Sequence, residues 1–279
     1  MQTSTVRQGS PAIVAPVIVA QRVEATIIAL KPGLMPGLSM PAVGYKATMV
    51  HAVFHFPPDF LWGVATAAHQ VEGNNTANQW WAWEQEPGHI AEAHRSGLAC
   101  DWWNNAEADF DRAASMGLKT LRLSVEWSRV EVAPGEIDAA ALERYREMLH
   151  GLKVRGIEPM VTLHHFTDPL WFTERGGWAS PDAPRLFSRF VEQVVLALRD
   201  YTTLWCTINE PNVYATLGYV LGMFPPGLRD LKLAARVLRH MLLAHGAAYR
   251  IIHQLQEGAR VGIAHNIRFF DPGRPGRPA

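Results

Sequence analysis

Residues 203–211 read T-L-W-C-T-I-N-E-P, a β-branched and aromatic run that ends in a polar pair, Asn209 and Glu210, and is closed by Pro211. Such a run is a strand that delivers a carboxyl group at its C-terminal end. A helical pattern follows it. A parallel barrel carries its chemistry at the C-terminal ends of its strands, so Glu210 stands where such chemistry would be. By itself the segment fits equally well a strand-end carboxylate that caps the next helix.

Runs of the same kind lie at residues 60–66, 118–124, 157–163 and 260–267. Between them are helical stretches at 107–116, 138–155, 182–200 and 231–257. In the third stretch Leu186, Phe190, Val194 and Leu198 recur every four residues, a single apolar stripe suited to packing on a sheet. In the fourth, Leu231, Leu238, Met241, Leu242, Tyr249, Ile252 and Leu255 make the corresponding face, and Asp138 reads as the N-cap of the second. Strand and helix alternate, which predicts βα units and a parallel sheet. A (β/α)8 barrel takes about 250 residues. Only five such strands are consumed by Ile267, however, and residues 271–279 read D-P-G-R-P-G-R-P-A, a loop-like tail. The expected fold class is α/β, a (β/α)8 TIM barrel truncated after about five strands, whose first and fifth strands are left as open apolar edges.

The chain has 279 residues, 48% of them apolar and 19% charged, enough to bury a sizeable core. Net charge is zero and the pI about 7.2, so no electrostatic footprint points to nucleic acid or an anionic membrane. Small neutral partners fit better. Cys100 and Cys206 form no C-x-x-C pair, which argues against a disulfide framework and a zinc site and favours a reducing, cytoplasmic compartment. Residues 1–50 read as a flexible N-terminal extension: an apolar run at 11–20 is broken by prolines, and 31–44 is punctuated by Pro and Gly. Met49 makes a natural start, so residues 1–48 are expected to be a gene-start artefact. Residues 51–279 form the domain.

Polar residues gather at the predicted strand ends: His69, Gln70 and Glu72; Arg122 and Glu126; His164, His165, Phe166 and Asp168; Asn209 and Glu210. They are expected to converge on one face, framed by Trp62, Trp127, Trp171 and Trp178. Amides, imidazole and acids bond directionally to hydroxyls while aromatic faces pack on sugar C–H faces, which suits a polyhydroxylated neutral ligand. His240, His245 and His253 lie on the long last helix without metal-ligand partners, and Trp80, Trp81, Trp83, Trp102 and Trp103 read first as loop packing.

These stretches carry a resemblance. F-L-W-G-V-A-T-A-A-H-Q-V-E-G at 60–73, L-R-L-S-V-E-W-S-R at 121–129, P-M-V-T-L-H-H-F at 159–166, G-G-W at 176–178 and T-I-N-E-P at 207–211 resemble, in order, motifs of the first half of the family 1 glycoside hydrolases, the β-glucosidase and β-galactosidase family. The resemblance implies that residues 51–279 are the N-terminal part of a glycosidase barrel acting on a small-molecule β-glycoside. It makes Glu210 the general acid/base, a task that needs a carboxyl group holding its proton near neutral pH. Asn209 is then placed against the sugar 2-hydroxyl, Gln70 and His165 against the 3- and 4-hydroxyls, and Arg122 at the floor beside the nucleophile. Phe166 stands where the family often has Trp. No cofactor and no metal is implied.

Family members are retaining enzymes with a second Glu in a T-E-N-G-like motif on the seventh strand, and no such motif occurs in these 279 residues. Glu126 is a poor substitute, because some members carry a carboxylate there beside their own nucleophile. The expected function is therefore that of a β-glycosidase with its acid/base present and its nucleophile missing from this chain. A non-catalytic sugar-binding protein and an inactive half-barrel fragment stay open beside it. The open barrel edges invite pairing with a missing C-terminal half, or self-association.

Overall fold

A computed structural model of the chain describes residues 55–267. The extension expected at residues 1–50 lies outside the described residues. In chain order the strands are β1 (Gly63–Ala65), β2 (Thr120–Ser124), β3 (Glu131–Ala133), β4 (Glu136–Ile137), β5 (Glu158–Thr162), β6 (Leu204–Asn209) and β7 (Arg260–Ala264). The helices are α1 (Ala68–Val71), α2 (Gln79–Gln85), α3 (Trp102–Ser115), α4 (Trp127–Val130), α5 (Ala139–Lys153), α6 (Leu170–Glu174), α7 (Ala183–Leu198), α8 (Pro211–Tyr219) and α9 (Leu231–Leu255).

β1, β2, β5, β6 and β7 form one parallel sheet in that order, each paired with the next in sequence. The order never reverses, and α3 packs on α5, α5 on α7 and α7 on α9. Helices that touch their sequence neighbours all lie on one face of the sheet. That arrangement belongs to a barrel wall and not to a doubly wound sheet, whose helices divide between two faces. Gly63 is required at the first strand pair, because a Cβ there would stand 2.3 Å from the Thr120 carbonyl oxygen. β3 and β4 make an antiparallel hairpin that the strand pattern does not reveal; its turn is Pro134-Gly135, with Gly135 at φ 88°.

The core lies between the sheet and the helices. The α7 stripe Leu186, Phe190, Val194 and Leu198 is buried as expected, but Phe187, Val191 and Val195 are buried too, because α5 and α9 flank the helix on both sides. On α9 the expected face is right in part: Met241 and Ile252 are buried and Leu238 and Leu255 pack against the core. Leu231, Leu242 and Tyr249 are exposed, whereas Ala234, Val237, Met241, Ala244, Ala248 and Ile252 are buried. Small side chains let α9 approach α7 closely, so Ala234, Ala244 and Ala248 share the contact face with Val237, Met241 and Ile252. Asp138 caps α5, accepting from the amides of Ala140 and Ala141 at 2.8 and 3.0 Å.

Candidate active site

The ladder continues past the strand ends. Thr66 N donates to Arg122 O at 2.8 Å, Val125 N to Thr162 O at 2.9 Å, Leu163 N to Cys206 O at 2.9 Å, Asn209 N to His164 O at 2.8 Å and Glu210 N to Ala264 O at 2.7 Å. This brings the loops after all five strands into one layer. Glu210 sits there with φ 44° and ψ 59°, a left-handed conformation that costs a non-glycine residue about 1 kcal/mol or more. It occupies the N-cap position of α8, yet its side chain makes no capping bond. The capping role that the sequence equally allowed is therefore absent. Pro211 opens the helix without needing an N–H partner. The half-buried Glu210 carboxylate instead accepts from Asn266 Nδ2 at 3.1 Å.

Arg122 crosses three strands. Its Nε donates to Thr162 Oγ1 at 2.6 Å, and one Nη donates to Asn209 Oδ1 at 2.6 Å and lies 3.5 Å from Cys206 Sγ. Asn209 is buried, so the guanidinium fixes its carboxamide orientation. Arg122, Met160, Leu204, Cys206, Gly262 and Ala264 line the concave inner face of the sheet, a space of about 320 Å3. His165 is half-buried, and its Nδ1 is enclosed without a hydrogen-bond partner. Burial first, then the neighbouring Arg122 and His164, push its imidazole down to about 3, so it is neutral at any working pH.

Phe166 has φ 69°, and its carbonyl accepts from Gln79 Nε2 at 2.8 Å. Its ring lies 5.7 Å from Phe224, which in turn lies 4.8 Å from Trp80, an aromatic rim built from the loops after β1, β5 and β6. Gln70 is exposed on the short helix α1 after β1 and bonds to no other side chain among the described residues; neighbouring His69 holds Asn78 at 3.2 Å. The four tryptophans expected to frame a sugar do something else. Trp127 and Trp178 are core residues, 1% and 0% exposed. Trp171 packs edge-on to Trp127 and donates to Glu131 O. Trp62 precedes β1, at the opposite end of the sheet, beside Phe56 and Phe60. A tryptophan on a βα unit is as well suited to the helix–sheet interior as to a ligand wall, and only the packing of other elements separates the two.

Several expected polar residues also turn away from the concavity. Glu126 is fully buried and accepts from Ser128 Oγ at 2.7 Å and Thr167 Oγ1 at 2.9 Å, a structural role. Glu72 accepts from Tyr145 Oη at 2.6 Å, Asn75 Nδ2 at 3.1 Å and Arg129 Nε at 3.2 Å. Burial pushes the Glu72 carboxyl up to about 7, against Arg129 and the bonds from Tyr145 and Asn75, with Glu126 adding like charge. A folded value above the unfolded 4.5 means that Glu72 favours the fold fully below about 4.5, and that this contribution is lost as pH rises through about 7. The melting temperature of the wild type minus that of Glu72→Gln is therefore expected to be larger at pH 5 than at pH 8. A difference independent of pH, measured by calorimetry, contradicts the assignment.

Asn266, Gln79, Tyr214 and Phe224 were not foreseen as part of this region. Asn266 follows the fifth strand and was open to the same strand-end rule. The other three sit in segments without a pattern that marks them. Each of the three histidines of α9 has a hydrogen-bond partner: His240 bonds to Trp178 O, His245 to Thr207 Oγ1 and His253 to Tyr249 O. Among the described residues no group of three or more His, Cys, Asp or Glu is placed to hold a metal ion, and no helix is long and apolar enough to cross a membrane.

One wall of a parallel α/β barrel thus carries a carboxamide and a carboxylate at the C-terminal end of β6, beside a guanidinium from the middle of β2. Residues 53–279 match the model of Glycosyl hydrolase family 1, and the chain belongs to that family. It is 34% identical over 223 residues to Beta-glucosidase A of Acetivibrio thermocellus, covering 78% of this chain and 50% of that one. Coniferin beta-glucosidase of Pinus contorta is 33% identical over 245 residues, with 78% and 47% covered. Among solved structures, a beta-glycosidase from Pyrococcus horikoshii superposes with a TM-score of 0.73 at 38% identity, covering 79% of this chain and 51% of that one. Beta-glucosidase from Thermotoga maritima in complex with castanospermine gives a TM-score of 0.76 at 30% identity, with 79% and 52% covered. The chain thus spans about half the length of the relatives it matches.

Proposed function

We propose that these residues form the acid/base half of a retaining β-glycosidase acting on terminal β-linked, glucose-like sugars. The observation that carries this reading is the Glu210 carboxylate, which stands at the end of β6 released from helix capping and held by Asn266, directly after the Asn209–Arg122 pair. Glu210 donates its proton to the departing glycosidic oxygen, and as a carboxylate it then takes a proton from the water that cleaves the glycosyl-enzyme. Asn209, its oxygen engaged by Arg122, presents its NH2 to the sugar 2-hydroxyl. Neutral His165 and exposed Gln70 serve the 3- and 4-hydroxyls, with Phe166 as an apolar wall.

The second carboxylate of a retaining pair stands about 5–5.5 Å from the first, and we place it on a segment outside these 279 residues. β1 and β7, the two outer strands of the sheet among the described residues, are where the strands of that segment pair. Two free cysteines, Cys100 and Cys206, suit a reducing, cytoplasmic setting. The test is proton NMR of methyl β-glucoside hydrolysis by the native gene product. β-Glucose appearing first, before mutarotation, supports the reading; α-glucose first, or binding without turnover, overturns it.

A further inference from the structure

Asp168, expected among the ligand-facing strand-end residues, is instead a fully buried carboxylate. Its Oδ1 accepts from His164 Nε2 at 3.0 Å and Trp178 Nε1 at 2.8 Å, and its Oδ2 from Tyr214 Oη at 2.6 Å and Gln79 Nε2 at 3.3 Å. The four donors come from four segments: the end of β5, the turn Gly177–Ala179, the helix α8 and the helix α2. The backbone of Asp168 adds two more links, its N donating to Gln79 Oε1 at 2.6 Å and its O accepting from Gln79 N at 3.0 Å. Among the described residues no Lys or Arg pairs with it. A carboxylate buried without a cationic partner is held by donors aimed at it, and such a hub specifies one arrangement of the segments that supply them.

Two of these donors lead to the same dipeptide. Tyr214 lies in the first turn of α8, and its amide donates to Glu210 O at 3.0 Å. His164 O accepts from Asn209 N at 2.8 Å. His164 Nδ1 is buried without a partner, which puts the ring proton on Nε2, where it binds Asp168. A third link, Gln79 Nε2 to Phe166 O, fixes the turn that carries His165 and Phe166.

We propose that Asp168 is a positioning residue: through Tyr214 and His164 it holds Asn209 and Glu210, and through Gln79 it holds the His165–Phe166 turn, in the geometry that acid catalysis needs. This rests on the reading of Glu210 as the acid. Asn at 168 keeps the shape but turns an NH2 toward donors, and Tyr214→Phe removes a single hydroxyl from the hub while leaving the helix in place.

The experiment compares kcat/KM of the native gene product and its Asp168→Asn, Tyr214→Phe and Glu210→Gln variants on two substrates. Methyl β-glucoside needs its leaving oxygen protonated; 2,4-dinitrophenyl β-glucoside does not. Displacement of a catalytic group by about 1 Å costs about 100-fold, so Asp168→Asn and Tyr214→Phe are expected to lose about 10- to 100-fold on the methyl glucoside. On the dinitrophenyl glucoside Tyr214→Phe is expected to change less than about 3-fold and to unfold within a few degrees of the wild type, whereas Asp168→Asn, which also loosens Asn209 and the His165–Phe166 turn, is expected to lose on both substrates. Selective loss in Glu210→Gln with none in Tyr214→Phe, or equal loss of Tyr214→Phe on both substrates, overturns the positioning role. A Glu210→Gln variant without selectivity, or a wild type that hydrolyses neither substrate, overturns the reading of the acid on which the role rests.

Discussion

Glu210→Gln is expected to lower kcat/KM for an alkyl β-glucoside by about 100- to 10,000-fold, the range of a lost general acid. The size follows from what Gln preserves. It fills the same space, retains an oxygen for Asn266 Nδ2 and leaves the left-handed backbone of residue 210 undisturbed. Only the transferable proton is gone. In kcat/KM, which reports formation of the glycosyl-enzyme and not its hydrolysis, the loss is therefore confined to substrates whose leaving oxygen is strongly basic, and the melting temperature is expected to change by no more than a degree or two. Steady-state kinetics over a series of aryl glucosides measures this directly. A slope against leaving-group pKa that is no steeper in the variant than in the wild type removes Glu210 from the role.

Trp127→Ala is expected to cost about 3–5 kcal/mol of stability, which lowers the melting temperature by about 10 °C or more in a domain of this size. Trp127 is 1% exposed, lies between Phe172 at 4.7 Å and Phe190 at 5.1 Å, and donates its Nε1 to Glu131 Oε2 at 2.8 Å. Truncation empties the space between α4 and α7 and takes a donor from Glu131, which is itself fully buried and held also by Arg189 and by Gly135 N. KM is expected to stay within about twofold, because the ring is walled off from the concavity. A large rise in KM with an unmoved unfolding transition would restore Trp127 to the sugar wall that the sequence suggested.

Much of the site region was legible because strand-end position depends on chain order alone. Asn209 and Glu210 close an apolar run, and the run's hydrogen-bonding neighbours are dictated by the alternation of strand and helix. The same rule, applied one strand further, would have marked Asn266. It could not mark Gln79, Tyr214 or Phe224, which reach the site by the path of a loop and not by periodicity. Nor could it separate the half-buried Glu210 from Glu72, Glu126 and Asp168, which are carboxylates after other strands and fully buried in the protein.

The sequence by itself determined the five parallel strands, their order, the helices between them and the family, because these rest on local periodicity and contiguous motifs. The tertiary structure alone decided which carboxylate stays available. A carboxylate is buried only where donors meet it, and those of Asp168 come from residues 4, 10, 46 and 89 positions away. The packing face of α9 was decided in the same way. Ala234, Ala244 and Ala248 are buried while Leu231, Leu242 and Leu243 are exposed, with α7 packed against the helix, and close approach rewards small side chains more than the hydrophobicity of any single residue.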